Sequence, residues 1–212
     1  PAITTGGELS YTLASETNGS TTVTVQLNDD GLTANGGVDA SPAVTFTITV
    51  DPVFDVTGTI TLQGATTAAE VTAIGATVTL TPSGGGPAFA TVTVASDGTF
   101  SISDAPVGTY TIRAEADGYQ AAERTNLAIT TSDVAMPTIE LKGGLADISD
   151  TTDTVDGADV SLVTSSFGTV TEDRTNGSPD NDVVDINGDG AVSAIDISIM
   201  VSNLGLTGTQ AW

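Results

Sequence analysis

Short runs in which apolar and polar residues alternate, broken by glycine, asparagine and aspartate, fill the first two thirds of this chain. Residues 44–50, for example, are Val-Thr-Phe-Thr-Ile-Thr-Val. A period of two residues is typical of a β-strand with one buried face. No run approaches the ~20 consecutive apolar residues that a membrane-spanning helix needs. The pattern therefore predicts a mainly β protein without membrane insertion.

Charge and composition exclude several kinds of chemistry. The 212 residues include 27 acidic and 4 basic side chains, which gives a net charge of −23, and neither cysteine nor histidine is present. A nucleic acid partner is not expected, because phosphate binding depends on lysine and arginine. Thiolate and imidazole chemistry are absent, and no nucleophile lies beside a base, so we expect no enzyme. Oxygen ligands remain, and these suit hard cations such as calcium.

The first of three predicted segments, residues 1–54, contains three or four strands. Its residues 6–31 are GGELSYTLASETNGSTTVTVQLNDDG, and they resemble the C-terminal half of a bacterial cadherin-like, immunoglobulin-type repeat. The resemblance implies half of a β-sandwich with open edges, and an open edge is a template for pairing with another strand. Either the segment belongs to a longer chain, or a neighbouring chain supplies the missing strands.

The second segment, residues 55–142, contains short strands at regular spacing with turn residues between them, as expected for a complete β-sandwich. Residues 96–119 are SDGTFSISDAPVGTYTIRAEADGY. This string resembles the carboxypeptidase-regulatory-like family, which is related to the collagen-adhesin B-type repeats. The resemblance implies a spacer or presentation domain without chemistry of its own.

The third segment, residues 143–212, holds 12 acidic residues and an internal repeat at an offset of 37 residues. Residues 159–168 align with residues 196–205, and apolar residues recur at helical spacing in both copies. Gly168 and Gly205 end the two runs, as glycine does at the C-terminus of a helix. The segment is therefore predicted to contain two related loop–helix units.

Residues 185–196, DINGDGAVSAID, have the pattern of an EF-hand-type calcium loop. The predicted ligands at positions 1, 3, 5, 7, 9 and 12 are Asp185, Asn187, Asp189, the Ala191 carbonyl, Ser193 and Asp196. Gly190 at the sixth position permits the sharp turn. Val192 at the eighth position is expected to pair with the corresponding residue of the first loop.

The first loop is longer by one residue and lacks the glycine at the sixth position. A second calcium site is nevertheless expected there, because enough oxygens are present. Its candidate ligands are Asp147, Ser149, Thr151 or Asp153, the Thr154 carbonyl, Asp156 and Asp159.

Two calcium loops, each followed by a helix, resemble a type I dockerin, most specifically in DINGDGAVSAIDISIMVSNLG. The resemblance implies a small α-helical, calcium-folded module that binds a cohesin, itself a β-sandwich. The tenth and eleventh loop positions, often Ser-Thr in the family, are here Ala194-Ile195 and Gly157-Ala158. The predicted partner-binding patch consists of Ala194, Ile195, Ser198, Ile199 and Ser202. The alternative for Ile195 and Ile199 is burial against residues 55–142.

The sequence as a whole predicts a non-catalytic, calcium-stabilised, extracellular structural protein of a bacterial or archaeal cell surface. In the first hypothesis the dockerin-like module docks onto the β-sandwich of a neighbouring copy, as in a fibre or a surface layer. In the alternative the chain is a docking adaptor of a large secreted protein and binds a separate cohesin-like receptor. Trp212 is expected to pack either on the last segment or on the middle domain.

Overall fold

The structure, a computed structural model, describes residues 2–4, 6–12, 17–28, 38–145, 154–170 and 183–212. They form two compact units, residues 1–53 and residues 54–212. The division lies within one residue of the boundary predicted after residue 54. The predicted second and third segments, by contrast, lie within a single unit. The fold is mainly β, as the alternating sequence pattern predicts.

The first unit contains two antiparallel strand pairs. Strand β1 (Ala2–Ile3) pairs with β2 (Leu9–Ser10), and β3 (Gly19–Val25) pairs with β4 (Val44–Val50). All seven residues of β3 are in register with β4, and Val23 and Val25 lie opposite Phe46 and Val44. Within the described ranges no further strand joins the β3–β4 pair.

The second unit is a β-sandwich followed by two helices. Its elements are β5 (Val53–Leu62), α1 (Ala68–Ile74), β6 (Thr77–Pro82), β7 (Ala90–Thr93), β8 (Thr99–Pro106), β9 (Gly108–Glu115), β10 (Ala122–Ile129), β11 (Val134–Ala135), β12 (Ile139–Leu141), α2 (Gly157–Ser165), α3 (Ala194–Ser202) and β13 (Gln210–Ala211). One sheet has the strand order β13-β10-β9-β6-β7; in the other, β5 pairs with β8, β11 and β12.

Alternate residues of the sandwich strands form the hydrophobic core. Leu80 and Ile112, on neighbouring strands, are fully buried. The same core continues into the third predicted segment, since Ile186 and Met200 are also fully buried in it. This continuity explains why residues 54–212 form one unit, and apolar burial of this kind is the main stabilising contribution.

The end of the chain belongs to the sandwich. Strand β13 pairs in parallel with β10 and thereby becomes an edge of the five-stranded sheet. The Trp212 indole N–H donates to the Pro137 carbonyl at 2.9 Å. The Trp212 and Phe100 rings pack edge to face, with their centroids 5.7 Å apart. Of the two expected positions for Trp212, the structure therefore gives the one on the middle domain.

Candidate functional site

The loop at residues 185–196 wraps around its first residue. The Asp185 carboxylate accepts hydrogen bonds from the backbone N–H groups of Gly188 (3.0 Å), Asp189 (3.2 Å) and Gly190 (2.9 Å). The two glycines have φ of +72° and +91°, which turn the chain back toward Asp185. Only 1% of Asp185 is exposed. Its carboxylate is thus the centre around which the loop closes.

Asp196, the twelfth residue, closes the loop and also begins α3. Its Oδ1 accepts from the N–H groups of Ile186 (2.8 Å) and Asn187 (3.3 Å), and its Oδ2 accepts from the Ser193 N–H (2.8 Å). Ser193 in turn caps the helix by accepting from the Ile195 N–H at 3.1 Å. Asp196 is completely buried. One carboxylate therefore links both ends of the loop to the helix N-terminus.

The remaining predicted ligands of this loop lie in the same turn. Asn187 is buried and donates through its side-chain N–H to Asp189, while Asp189 is exposed and accepts from the Ala191 N–H at 3.0 Å. Across the described ranges, no three or more Asp, Glu, His or Cys side chains gather closely enough to hold a metal ion. The predicted ligand set contains three carboxylates and takes its other three oxygens from Asn187, Ala191 and Ser193.

The first loop is described only in its second half. Asp147, Ser149, Thr151 and Asp153 lie outside the described residues. Asp156 caps α2 by accepting from the Ala158 N–H at 2.7 Å, and the buried Asp159 accepts from the Asp156 N–H at 2.8 Å. Asp156 and Asp159 thus repeat the capping box of Ser193 and Asp196, at the same offset of 37 residues.

The pairing predicted for Val192 is wrong. Val192 does not pair with the corresponding residue of the first loop; its carbonyl accepts from the Gly168 N–H (2.9 Å) and its N–H donates to Thr169 (3.0 Å). Val155, the corresponding residue, makes the same two bonds with Gly205 and Leu206. Each loop thus pairs with the residues that follow the other helix. This reciprocal pairing relates the two loop–helix repeats by an internal two-fold symmetry, which the sequence repeat alone did not reveal.

Polar side chains connect the second loop to the sandwich. The Tyr119 hydroxyl contacts the carbonyl of Ile186 at 2.5 Å and that of Gln63 at 3.1 Å. The Asn203 side-chain N–H groups donate to the Gln63 side chain (2.5 Å) and to the Gly143 carbonyl (2.6 Å). Sequence analysis missed these residues. No sequence pattern marked them, since Tyr119 lies between Gly118 and Gln120 and Asn203 follows Ser202.

Glycines allow the sandwich and α3 to approach closely. A Cβ atom added at Gly64 would lie 2.3 Å from Ile199 Cδ1, and one added at Gly143 would lie 2.5 Å from Ile186 Cγ2. Ile199 is accordingly only 8% exposed. Its assignment to the partner-binding patch is therefore wrong, and the alternative of burial against residues 55–142 applies to it. The other predicted patch residues are exposed: Ala194, Ile195, Ser198 and Ser202.

Helix α1 borders the loop from another side and was not predicted. Thr67 and Glu70 form a capping box at its N-terminus, and the Glu70 carboxylate accepts from the Thr66 and Thr67 N–H groups. The Thr66 hydrogen bond lowers the pKa of Glu70. A Cβ at Gly188 would meet Ile74 of this helix at 3.2 Å. The spacing of Thr67 and Glu70 was the sequence signal for this helix.

Comparison with known proteins supports part of the sequence interpretation. Residues 55–142 match the carboxypeptidase regulatory-like domain, which confirms that predicted resemblance and its bounds. No curated protein matches the chain. Two solved structures of a type II cohesin–X-dockerin complex from Acetivibrio cellulolyticus, an N-terminal and a C-terminal interface mutant, each contain a similar chain. The TM-score is 0.57 in both cases, at 25% and 24% identity, and the similarity covers 73% of this chain and 97% of the other.

Proposed function

We propose that residues 54–212 are a non-catalytic, calcium-stabilised docking module that binds a cohesin-like β-sandwich of another protein. The observation that carries this proposal is the architecture of residues 54–212. A β-sandwich and two symmetry-related loop–helix repeats share one compact body. The similarity to a chain of the cohesin–X-dockerin complexes covers 73% of this chain. Residues 55–142 make up less than half of this chain, so a similarity that covers 73% of it extends beyond those residues.

The second loop fits calcium in its chemistry. Asp185 and Asp196 are buried carboxylates of a single loop, and burying charge is costly unless it is compensated. Backbone N–H groups supply part of the compensation, and a cation would supply more. All six predicted ligands offer oxygen, which calcium prefers. When bound, the ion would hold the first and last loop residues together and would reduce the self-repulsion of a chain with a net charge of −23.

The internal symmetry supports a second ion at the first loop. Asp159 occupies the position of Asp196, with the same helix-capping role and the same burial. Asp156 has nearly the same φ as its counterpart Ser193, −134° against −131°, and Thr154 and its counterpart Ala191 each form one antiparallel bridge, to Thr207 and to Val170. We therefore propose two calcium ions for each chain, one in each loop–helix unit.

The proposed partner surface lies on the exposed side of the helices. Ile195 is 53% exposed, beside the small residues Ala194 and Ser198. Further exposed apolar side chains lie on the same module, namely Phe167, Val201 and Leu204. Apolar residues interspersed with small ones suit a closely packed partner surface.

An extracellular or cell-surface location is part of the proposal. It is supported by the likeness to a chain from a cohesin–X-dockerin complex, and the proposed calcium sites suit the calcium-rich extracellular medium. Among the described residues, no helix has the length and apolar character needed to cross a membrane.

Chelation of calcium is expected to loosen residues 143–212 while residues 55–142 stay folded. The carboxylates of the loops would then repel one another, whereas the sandwich retains its own apolar core. Hydrogen exchange measured with and without chelator should show faster exchange in α2 and α3 and little change in β6 and β9. Unchanged exchange in both helices would contradict the proposed calcium sites.

The docking proposal is tested by binding to a panel of immobilised type I and type II cohesins, with calcium and with chelator. Calcium-dependent binding to at least one cohesin is expected. Ile195→Asp should abolish it, whereas Val107→Asp, at a sandwich residue that is 46% exposed, should not. Absence of binding across the panel would count against a cohesin-like receptor.

Self-assembly is the second candidate, and it is favoured by a β3–β4 pair whose outer edges no other described strand joins. Self-assembly and docking onto a receptor predict different masses for the chain alone. Light scattering on a size-exclusion column would then give a mass well above 21.1 kDa in calcium, without any added partner. A monomer in both calcium and chelator would exclude this alternative.

A further inference from the structure

Tyr119 lies in the sandwich but contacts the second loop. The side chain is buried, and its hydroxyl lies 2.5 Å from the Ile186 carbonyl and 3.1 Å from the Gln63 carbonyl. A phenol has a single hydrogen to donate. The shorter distance indicates that the Ile186 carbonyl is its principal acceptor.

Ile186 separates the first and third predicted ligand positions of the loop. Its N–H donates to Asp196 at 2.8 Å, and its side chain is fully buried against Gly143. The Tyr119 hydroxyl holds the remaining polar group of this residue, the carbonyl. The peptide segment between Asp185 and Asn187 is thus fixed from both sides, by Asp196 within the loop and by Tyr119 from the sandwich.

We propose that Tyr119 is a positioning residue for the metal site of the second loop, through which the sandwich raises the calcium affinity of that loop. The inference rests on the proposed calcium site. The contact is made to the second loop, so the expected change in affinity concerns the site of that loop.

The contact changes affinity only if it is lost when the loop is empty. In the calcium-free loop, Asp185, Asp189 and Asp196 repel one another, and opening the loop moves the Ile186 carbonyl away from Tyr119. The hydrogen bond then favours the closed, ligand-competent conformation. Coupling of this kind is reciprocal, so calcium binding must stabilise the region of the sandwich around Tyr119 to the same extent.

Tyr119→Phe in the full chain is the direct test, with Tyr110→Phe as the matched control. Tyr110 is equally buried, and its hydroxyl donates to the Pro106 carbonyl at 2.9 Å within the sandwich. Calcium titration by calorimetry should show one of two sites weakened about tenfold in Tyr119→Phe, as expected for loss of one buried hydrogen bond. The other site, and both sites of Tyr110→Phe, should keep their affinity.

Two results would overturn the inference. One is unchanged affinity of both sites in Tyr119→Phe, and the other is equal weakening of both sites, which indicates general destabilisation. Hydrogen exchange of the wild-type chain adds a measurement that needs no variant. Calcium should slow exchange of the Tyr119 and Gln120 amides, and a lack of slowing contradicts the coupling. If the wild-type chain binds no calcium, the proposed function itself fails; if it binds and Tyr119→Phe binds equally, only this inference fails.

Discussion

Asp196→Asn should weaken calcium binding at the proposed site of the second loop by roughly 100-fold, because it removes a charged oxygen from the position that closes the loop. The substitution also places an amide where the structure needs an acceptor. Asp196 accepts from three backbone N–H groups, and an asparagine amide turned either way faces at least one of them with its own N–H. An unsatisfied buried donor costs about 1–3 kcal/mol. The start of α3 should therefore fray.

Calcium calorimetry and far-ultraviolet circular dichroism measure the two consequences. Asp97→Asn is the control, because Asp97 also accepts from a backbone N–H, that of Thr99, but lies on the sandwich surface. It should leave calcium binding unchanged. Asp159→Asn should instead weaken the other site, as the internal symmetry requires. Full calcium affinity in Asp196→Asn would show that this carboxylate is a helix cap and not a ligand.

The sequence was sufficient where local patterns alone determine structure. Alternation predicted β3 and β4, and the aspartate-rich motif predicted a loop closed by its first and twelfth residues. The loop depends on neighbours within about a dozen residues, and its hydrogen bonds are local. The alternation within β3 and within β4 is local too, although the two strands pair across 19 to 31 residues. The carboxypeptidase-regulatory-like sandwich was likewise predicted with the bounds later matched.

Features that depend on distant contacts were not predictable in the same way. Whether Ile199 contacts a partner or the sandwich depends on Gly64, which lies 135 residues earlier in the sequence. The pairing of Val192 with Gly168 and Thr169 depends on how two similar units pack, and the repeat is equally compatible with direct loop-to-loop pairing. A hydrophobic period identifies a buried face but not the element that covers it.

The shared core also changes what is expected to stabilise the predicted third segment. Taken alone, residues 143–212 would be a small module stabilised mainly by ions, because such a short chain buries little apolar surface. In the structure Ile186 and Met200 belong to one core with the sandwich strands. The proposed ions would therefore act on the same folded unit as sandwich packing, which is the physical basis for expecting communication between them.

Gly64→Ala should lower the free energy of unfolding of residues 54–212 by about 3 kcal/mol and loosen the packing of α3 on the sandwich. Two costs add together. The backbone at Gly64 has φ of +91°, which strains any other residue, and the new Cβ would overlap Ile199 at 2.3 Å. In a unit of this size the expected fall in melting temperature is roughly 10 °C. Scanning calorimetry in saturating calcium measures it.

Gly85→Ala separates the strain from the overlap. Gly85 has a closely similar φ of +86°, but a Cβ there would meet nothing within 4 Å. This control should cost only about 1 kcal/mol, the part due to the backbone. Hydrogen exchange of α3 should rise in Gly64→Ala and stay unchanged in Gly85→Ala. Equal losses of stability in the two variants would mean that the contact between Gly64 and Ile199 does not hold the helix on the sandwich, and that the remaining polar contacts of Asn203 and Tyr119 suffice to do so.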